Sequence, residues 1–460
     1  MSTDGARRAW LRAGSVLPLA PLGALGALGA LGRNAAAAAA APAPGVPAPP
    51  AGVPPAALAS DARYWSQVAA LYDITDDVVP LDNGYWGSMA RPVLDAYVQH
   101  TATVNRGNAY YGRLAFPPEY EAARSQAAAA LGVARDEIVL TRGATEALQA
   151  LIGGYNRLGK GDAVLYADID YDGMISAMRW LRQRRGVEVV AIDLPEPATH
   201  ANVIDCYARA LDKHPRLKLM LLAHVNHRNG MVLPVAEISR MARSRGVDVI
   251  VDTAHGFGQL DMRIPDLQAD FAGINLHKWI GAPLGVGAVY IKRGRVADID
   301  PFMTDGGAEA KGGGAGGGGG DIRTRVHSGT VNFAAYLALP LALALHERIG
   351  VANKQARLHL LRNRWVDAAR GIAGIEVLAS SDPRLVSAIA SFRLTGRTSV
   401  ADNLALARRL LVEHGVFAVH RDGLASGACV RVTPSVFTSE VQIDRFIAAL
   451  RSIARTAGQT

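Results

Sequence analysis

Cysteine is almost missing from this chain of 460 residues: Cys206 and Cys429 are the only two, in unrelated contexts. Such a pair supports neither a disulfide framework nor a cysteine-rich metal site, so both are expected to be small buried hydrophobes. Also missing is any block of Lys and Arg interleaved with aromatic residues. The formal charge is +8, but Arg7, Arg8, Arg12 and Arg33 against Asp4 supply three of those units near the N-terminus, leaving +5 elsewhere. That balance suits a solvated surface of mixed charge, and no nucleic-acid partner is expected. The absence of an internal repeat excludes solenoid folds.

Apolar residues, by contrast, are plentiful: half the chain is hydrophobic, enough for one large or two medium domains with a substantial core. The N-terminus stands apart. Ala6-Arg7-Arg8-Ala9-Trp10-Leu11-Arg12 precedes an apolar stretch from Ala13 to Leu31, the order of a twin-arginine export signal, assigned to residues 1–41. A membrane anchor is the competing reading, since the stretch is long enough to span but its glycines and prolines weaken it. Export would place the protein in the periplasm or outside the cell, with no stable membrane partner after cleavage. Residues 42–60 are rich in Pro and Ala and predict an extended linker, with folded structure beginning near Asp61.

Beyond an N-terminal segment, 61–90, apolar runs alternate with helical patterns. Seven runs, from Glu137–Leu140 to Val286–Ile291, predict an α/β domain over 91–330 built on a mostly parallel seven-stranded sheet. The spacing of Val235, Ile238 and Met241 predicts a helix over Pro234–Arg245, ended by Gly246. The glycines of 306–320 predict a flexible loop, with an active-site lid as the sharper alternative. A long helix is expected from about Asn332. Residues 331–460 then complete a smaller α+β domain, with strands near Ile389–Leu394 and Cys429–Thr433.

Two segments place polar residues directly after a buried strand, where an open parallel sheet puts its ligands: Asp252-Thr253-Ala254-His255 and Asn275-Leu276-His277-Lys278-Trp279. A desolvated Asp252 needs a cation or donor, which a pyridinium N–H would supply. Burial and Schiff-base formation with a carbonyl cofactor would favour the neutral, nucleophilic amine of Lys278. Together they describe a coenzyme whose ring nitrogen stays protonated to accept electrons, namely pyridoxal 5′-phosphate (PLP). Alone, Asp252 could simply cap a helix. Gly143-Ala144-Thr145 turns from strand into helix and offers amides to a phosphate, although Thr145 could be only a cap. Tyr171, after the next strand, could stack on a planar ring or be an ordinary half-buried tyrosine.

These residues resemble the class V aminotransferase family, which includes cysteine desulfurases, kynureninase and isopenicillin N epimerase-like enzymes. The resemblance runs from about Leu81 to the C-terminus. It is carried by Leu81-Asp82-Asn83-Gly84-Tyr85-Trp86-Gly87, Gly143-Ala144-Thr145-Glu146, Asp252-Thr253-Ala254-His255, His277-Lys278-Trp279 and Ser328-Gly329-Thr330-Val331-Asn332-Phe333, closest in style to the epimerase-like branch. It implies a fold-type I PLP enzyme, a homodimer with active sites at the subunit interface. Lys278 would hold the cofactor, Asp252 would pair the ring nitrogen and His255 would lie against the ring. Ala144, Thr145 and His277 would bind the phosphate, with Gly329 and Thr330 added by the neighbouring subunit. Tyr171 stands where many relatives put a stacking His. Relatives contact O3′ through an Asn or Gln; here Asn226 or His227 could do so. Asn83 and Arg431 would bind the substrate, Arg431 through its carboxylate.

A PLP enzyme can move an amino group, invert a stereocentre or eliminate a side chain. The nucleophilic Cys of the desulfurases would sit around His420–Gly423, where this chain has none. Aminotransfer on an amino acid or other small amine is therefore expected, with epimerisation or lyase chemistry as alternatives. A secreted binding protein that kept the fold but lost turnover is the reading from another class, and intact Lys278 and Asp252 argue against it.

Overall fold

The computed structural model describes residues 45–301, 321–327 and 329–457. The export-signal segment and the glycine-rich stretch 306–320 lie outside the described residues. The seven expected strands form one sheet: β1 (Ile138–Thr141), β2 (Ala163–Ala167), β3 (Glu188–Ile192), β4 (Leu217–Ala223), β5 (Asp248–Asp252), β6 (Phe271–Asn275) and β7 (Gly287–Ile291). Their order is β1-β7-β6-β5-β4-β2-β3, and only β7 runs antiparallel to its neighbours. All five residues of β2, β6 and β7 are buried, whereas the edge strand β3 buries one of five. Burial on both faces gives the central strands their unbroken apolar runs. Along β5 the pleat sends Val249 and Val251 into the core on one face and Ile250 into the core on the other.

Twelve described helices are, in chain order, α1 (Pro55–Leu58), α2 (Ala62–Ala69), α3 (Arg91–Leu114), α4 (Phe116–Leu131), α5 (Ala144–Gly154), α6 (Asp172–Arg185), α7 (His200–Lys213), α8 (Val235–Arg243), α9 (Phe333–Ile349), α10 (Val351–Arg370), α11 (Val400–His414) and α12 (Glu440–Ala457). The helix read from Val235, Ile238 and Met241 is α8. The long helix is α9, capped by the Asn332 side chain accepting from the Ala335 amide.

A second, antiparallel sheet has the order β10-β11-β9-β8, from β8 (Ile375–Leu378), β9 (Ala390–Leu394), β10 (Val419–Arg421) and β11 (Cys429–Val432). Its own core centres on Trp365, Phe392 and Phe446. Two departures from expectation concern the N-terminal side. Val46 and Leu58 are buried, and the Trp65 indole donates to the Leu58 carbonyl at 2.7 Å, so the chain packs before Asp61 and is not simply an extended linker. Val79–Pro80 pairs in parallel with Val416–Phe417 as a separate two-stranded sheet, which ties the N-terminal segment to the chain just before β10.

Candidate active site

The parallel strands end together, so Thr141, Ala167, Ala223, Asp252 and Asn275 finish at one sheet edge and the loops beyond them converge. There a cavity of about 810 Å³ is lined by Gly143, Ala144, Thr145, Tyr171, His227, Asp252, His255, His277, Lys278 and Arg431. Ten residues chosen from the sequence thus meet in one place.

Lys278 follows β6. Its amine lies 3.0 Å from Nε2 of His255, and burial draws its pKa down to about 8 against the opposing pull of Asp252. The indole of Trp279 donates to Nδ1 of the same imidazole at 3.3 Å. An indole N–H can only donate, so Nδ1 is the acceptor and the proton of neutral His255 sits on Nε2. Burial holds His255 well below the usual histidine range, which keeps it neutral. An Nε2–H pointing at Nζ needs a lone pair there, and only the unprotonated amine has one. The Trp279-His255 pair therefore selects the nucleophilic form of Lys278.

Asp252 ends β5 and is 7% exposed. One carboxylate oxygen accepts the Ala254 amide at 2.9 Å, while Oδ2 has no partner among the described residues. Burial raises its pKa, and Lys278 opposes that shift. Such a carboxylate lacks a donor that a ring N–H would provide. At the other end, the Thr145 amide and hydroxyl have no partner among the described residues, as expected in the first turn of α5. His277 is fixed by contact of Nδ1 with the Val286 carbonyl at 2.9 Å, leaving its other nitrogen for a ligand. A Cβ on Gly143 would stand 3.1 Å from both the Asn275 amide oxygen and the His277 ring, so the turn is close-packed there.

Several expected contacts differ. The Ala144 amide is already used: it donates to Oδ1 of Asn275 at 2.7 Å and is not open to a phosphate. Asn275 went unassigned in the sequence, although its place at the end of a buried strand is the signal that marked Asp252. Asn226 is fully buried and outside the cavity lining, its Oδ1 accepting the Arg228 amide at 2.5 Å; the cavity receives His227 instead. Tyr171 is 42% exposed and meets His227 edge-on, with centroids 5.4 Å apart. Asn83 spends its amide on the carbonyls of Pro80 and Thr433, both at 2.9 Å, and so serves as a backbone tie. Its neighbours Gly84 and Tyr85 line the cavity. Gly329 and Thr330 are exposed and do not line this chain's cavity.

Arg431 is 2% exposed, but its guanidinium is held by the Asp82 carboxylate and by the His227 carbonyl at 2.9 Å, with Nε unpaired. Sequence reasoning missed Arg421, which also lines the cavity, bonds only its neighbour's carbonyl through Nη1 among the described residues and lies 3.9 Å from Asp82. Burial and nearby Arg431 lower its pKa to about 10, still cationic at neutral pH. Cys429 is fully buried on β11, and burial pushes its thiol up to about 11, unlike a nucleophile.

The loop Asp82–Gly87 covers the lysine from the other side. The Gly87 amide donates to the His277 carbonyl at 2.9 Å, and a Cβ on Gly87 would lie 1.8 Å from the Lys278 carbonyl oxygen. Only glycine fits, which accounts for the last residue of the Leu81–Gly87 motif.

The chain is similar to several known proteins. The chain is 26% identical over 402 residues to isopenicillin N epimerase of Streptomyces clavuligerus, covering 85% of this chain and 98% of that one. It is 27% identical over 398 residues to a probable cysteine desulfurase of Vibrio cholerae, covering 84% and 96%. Among solved structures, the cysteine desulfurase CsdA of Escherichia coli shares the fold with a TM-score of 0.71 at 21% identity, over 85% of this chain and 98% of that one. A C-DES mutant with glycine covalently linked to its PLP cofactor shares it with a TM-score of 0.70 at 22% identity, over 82% and 97%. The aminotransferase class-V model matches residues 89–446, a span that holds the whole large sheet and almost every residue of the cavity, and the chain belongs to that family.

Proposed function

We propose that the chain is a PLP-dependent enzyme acting at the α-carbon of an amino acid, most simply as an aminotransferase. When bound, PLP supplies an aldehyde that condenses with an amine and a protonated ring that withdraws electrons from the α-carbon. The observation that carries the reading is the Lys278 amine, drawn down to about 8 and set 3.0 Å from a neutral His255. Lys278 would hold the cofactor, Asp252 the ring nitrogen, and Thr145 with His277 the phosphate. His227 stands on the cavity wall in place of Asn226. Arg421 and Arg431 face the substrate end, where a guanidinium fork suits a carboxylate. Lys278 is the only lysine lining the cavity among the described residues, and one amine suffices to take the α-proton and return it on the same face.

Epimerisation is the second reading, favoured by the similarity to isopenicillin N epimerase. Incubation of the purified enzyme with a panel of amino acids in deuterated water separates the two. Keto-acid formation marks aminotransfer, whereas deuterium at Cα with retained nitrogen marks epimerisation. Neither product from any amino acid would overturn the proposal.

Two further proposals concern the whole protein. The enzyme works as a homodimer, for which the exposed apolar residues of 85–114 argue below. It is exported through its Arg7-Arg8 leader, and the Arg7→Lys, Arg8→Lys double variant should then accumulate inside the cell. An unchanged distribution would refute export by that route.

A further inference from the structure

Arg228 lies in the connection after β4 and is 1% exposed, yet it takes no part in the cavity wall. A buried guanidinium is costly unless its donors are met, and here four bonds meet four of its five N–H groups. Nε donates to the carbonyl of Asp422, Nη1 to the carbonyls of Asp170 at 2.9 Å and Asp168 at 3.3 Å, and Nη2 to the carboxylate of Asp172 at 2.6 Å. These partners belong to two separate loops. Residues 168–172 follow β2 and present Tyr171 to the cavity; residues 422–425 follow β10 and begin one position after Arg421.

The second loop is fastened once more, through Asp168. Asp168 accepts the Ala425 amide at 3.0 Å through one oxygen and the Leu194 amide at 3.0 Å through the other. Gly423 has φ +90° and lies against the guanidinium, where a Cβ would come within 2.6 Å of Nη2 and 2.8 Å of Nε. A side chain there would suffer both the left-handed backbone and a collision with a group already held in place. The carbonyl of Arg228 itself accepts the Ser391 hydroxyl from β9, beside Arg431 in the sheet register.

We propose that Arg228 is a positioning residue. It latches the loop 422–425 of the second sheet onto the ligand edge of the large sheet and so fixes the Arg421 guanidinium at the substrate end of the cavity. The effect on substrate rests on the proposed function; the latch itself does not. A lysine cannot replace it, because one ammonium cannot reach acceptors arranged around a planar fork.

The test uses the PLP-loaded enzyme and its Arg228→Lys variant, with Gly423→Ala as a second way to break the contact should the first fail to fold. Hydrogen exchange of the amides of 423–427 should quicken roughly tenfold or more in either variant, with the central strands of the large sheet unchanged. Unchanged exchange in that loop would overturn the latch. Spectral titration of the bound cofactor with an amino acid and with its decarboxylated amine then reads the effect on substrate. Arg228→Lys should weaken the amino acid roughly tenfold and leave the amine unchanged, and should add nothing further in an Arg421→Ala background. Independent, multiplying losses would overturn positioning through Arg421. An Arg421→Ala variant that binds the amino acid normally would instead refute Arg421 as the substrate reader, and loop exchange would still decide the latch.

Discussion

Lys278 owes its reactivity to neighbours that can be removed one at a time. With its pKa near 8, the cofactor-free protein should react with PLP at a rate that climbs with pH to a midpoint near 8, not the 10.5 of an ordinary lysine, because only the neutral amine attacks. Trp279→Phe deletes the donor that pins the proton of His255 on Nε2. The imidazole could then turn a lone pair towards Nζ and accept from the ammonium, which favours the charged form. The midpoint should rise by about 0.4 to 1 pH unit, the equivalent of one neutral hydrogen bond of about 0.5–1.5 kcal/mol. An unchanged or lower midpoint, followed through reduction of the lysine adduct with borohydride, would show that the indole has no part in it.

At the scale of elements, α9 and α10 hold a second lysine of unusual setting. The Lys354 amine is buried, donates to the Trp279 carbonyl at 2.8 Å and meets Nδ1 of His346 at 3.0 Å, with no carboxylate nearby among the described residues. Burial lowers its pKa to about 7. Between about pH 7 and 10.5 the unfolded chain therefore binds a proton that the folded one does not, and stability rises with pH across that window. Below it the full cost of burying the charge is present. Lys354→Met carries no such titration. Relative to that variant, the wild type should gain about 2 kcal/mol in unfolding free energy between pH 7.5 and 9, at about 1.4 kcal/mol per unit for one proton. Denaturant unfolding of both proteins at several pH values checks this, and parallel profiles would contradict it.

The same scale shows what sequence could tell. The seven strands were legible to within about two residues, all but the edge strand β3 because burial on both faces leaves an apolar run that loops cannot imitate. Asp252, Lys278 and His277 were legible because each is a polar residue directly after such a run. What escaped was decided by partners far along the chain. The Ala144 amide is taken by Asn275, 131 positions away; Arg431 is met by Asp82, 349 away; and Arg228 reaches Asp422, 194 away. No local pattern encodes such distant claims, and Asn226 and His227, adjacent in the sequence, differ in that only His227 lines the cavity.

For the whole molecule, the surface between Tyr85 and Leu114 poses the remaining question. Among the described residues, six of the sixteen large hydrophobic residues left exposed fall in these thirty positions: Tyr85, Trp86, Leu94, Val98, Tyr110 and Leu114. Tyr85 is 67% exposed although it also lines the cavity, and its ring packs only edge-on against Trp86 at 5.0 Å. Scattered apolar residues need no explanation, but a concentration along one stretch of chain that begins at the cavity with Tyr85 suits a protein partner. A second copy of the chain is the expected occupant, since Gly329 and Thr330 are exposed away from their own cavity and are free to serve another. Light scattering on the PLP-loaded protein should report the mass of two chains. Replacing Val98 and Tyr110 together by Glu should yield single chains, because carboxylates buried at an interface without partners are costly. If the dimer also completes the site, those single chains should hold PLP more weakly even where the Lys278 loop stays folded. A protein that runs as one chain at micromolar concentration with its cofactor firmly bound would mean that the apolar stretch serves something other than a second copy.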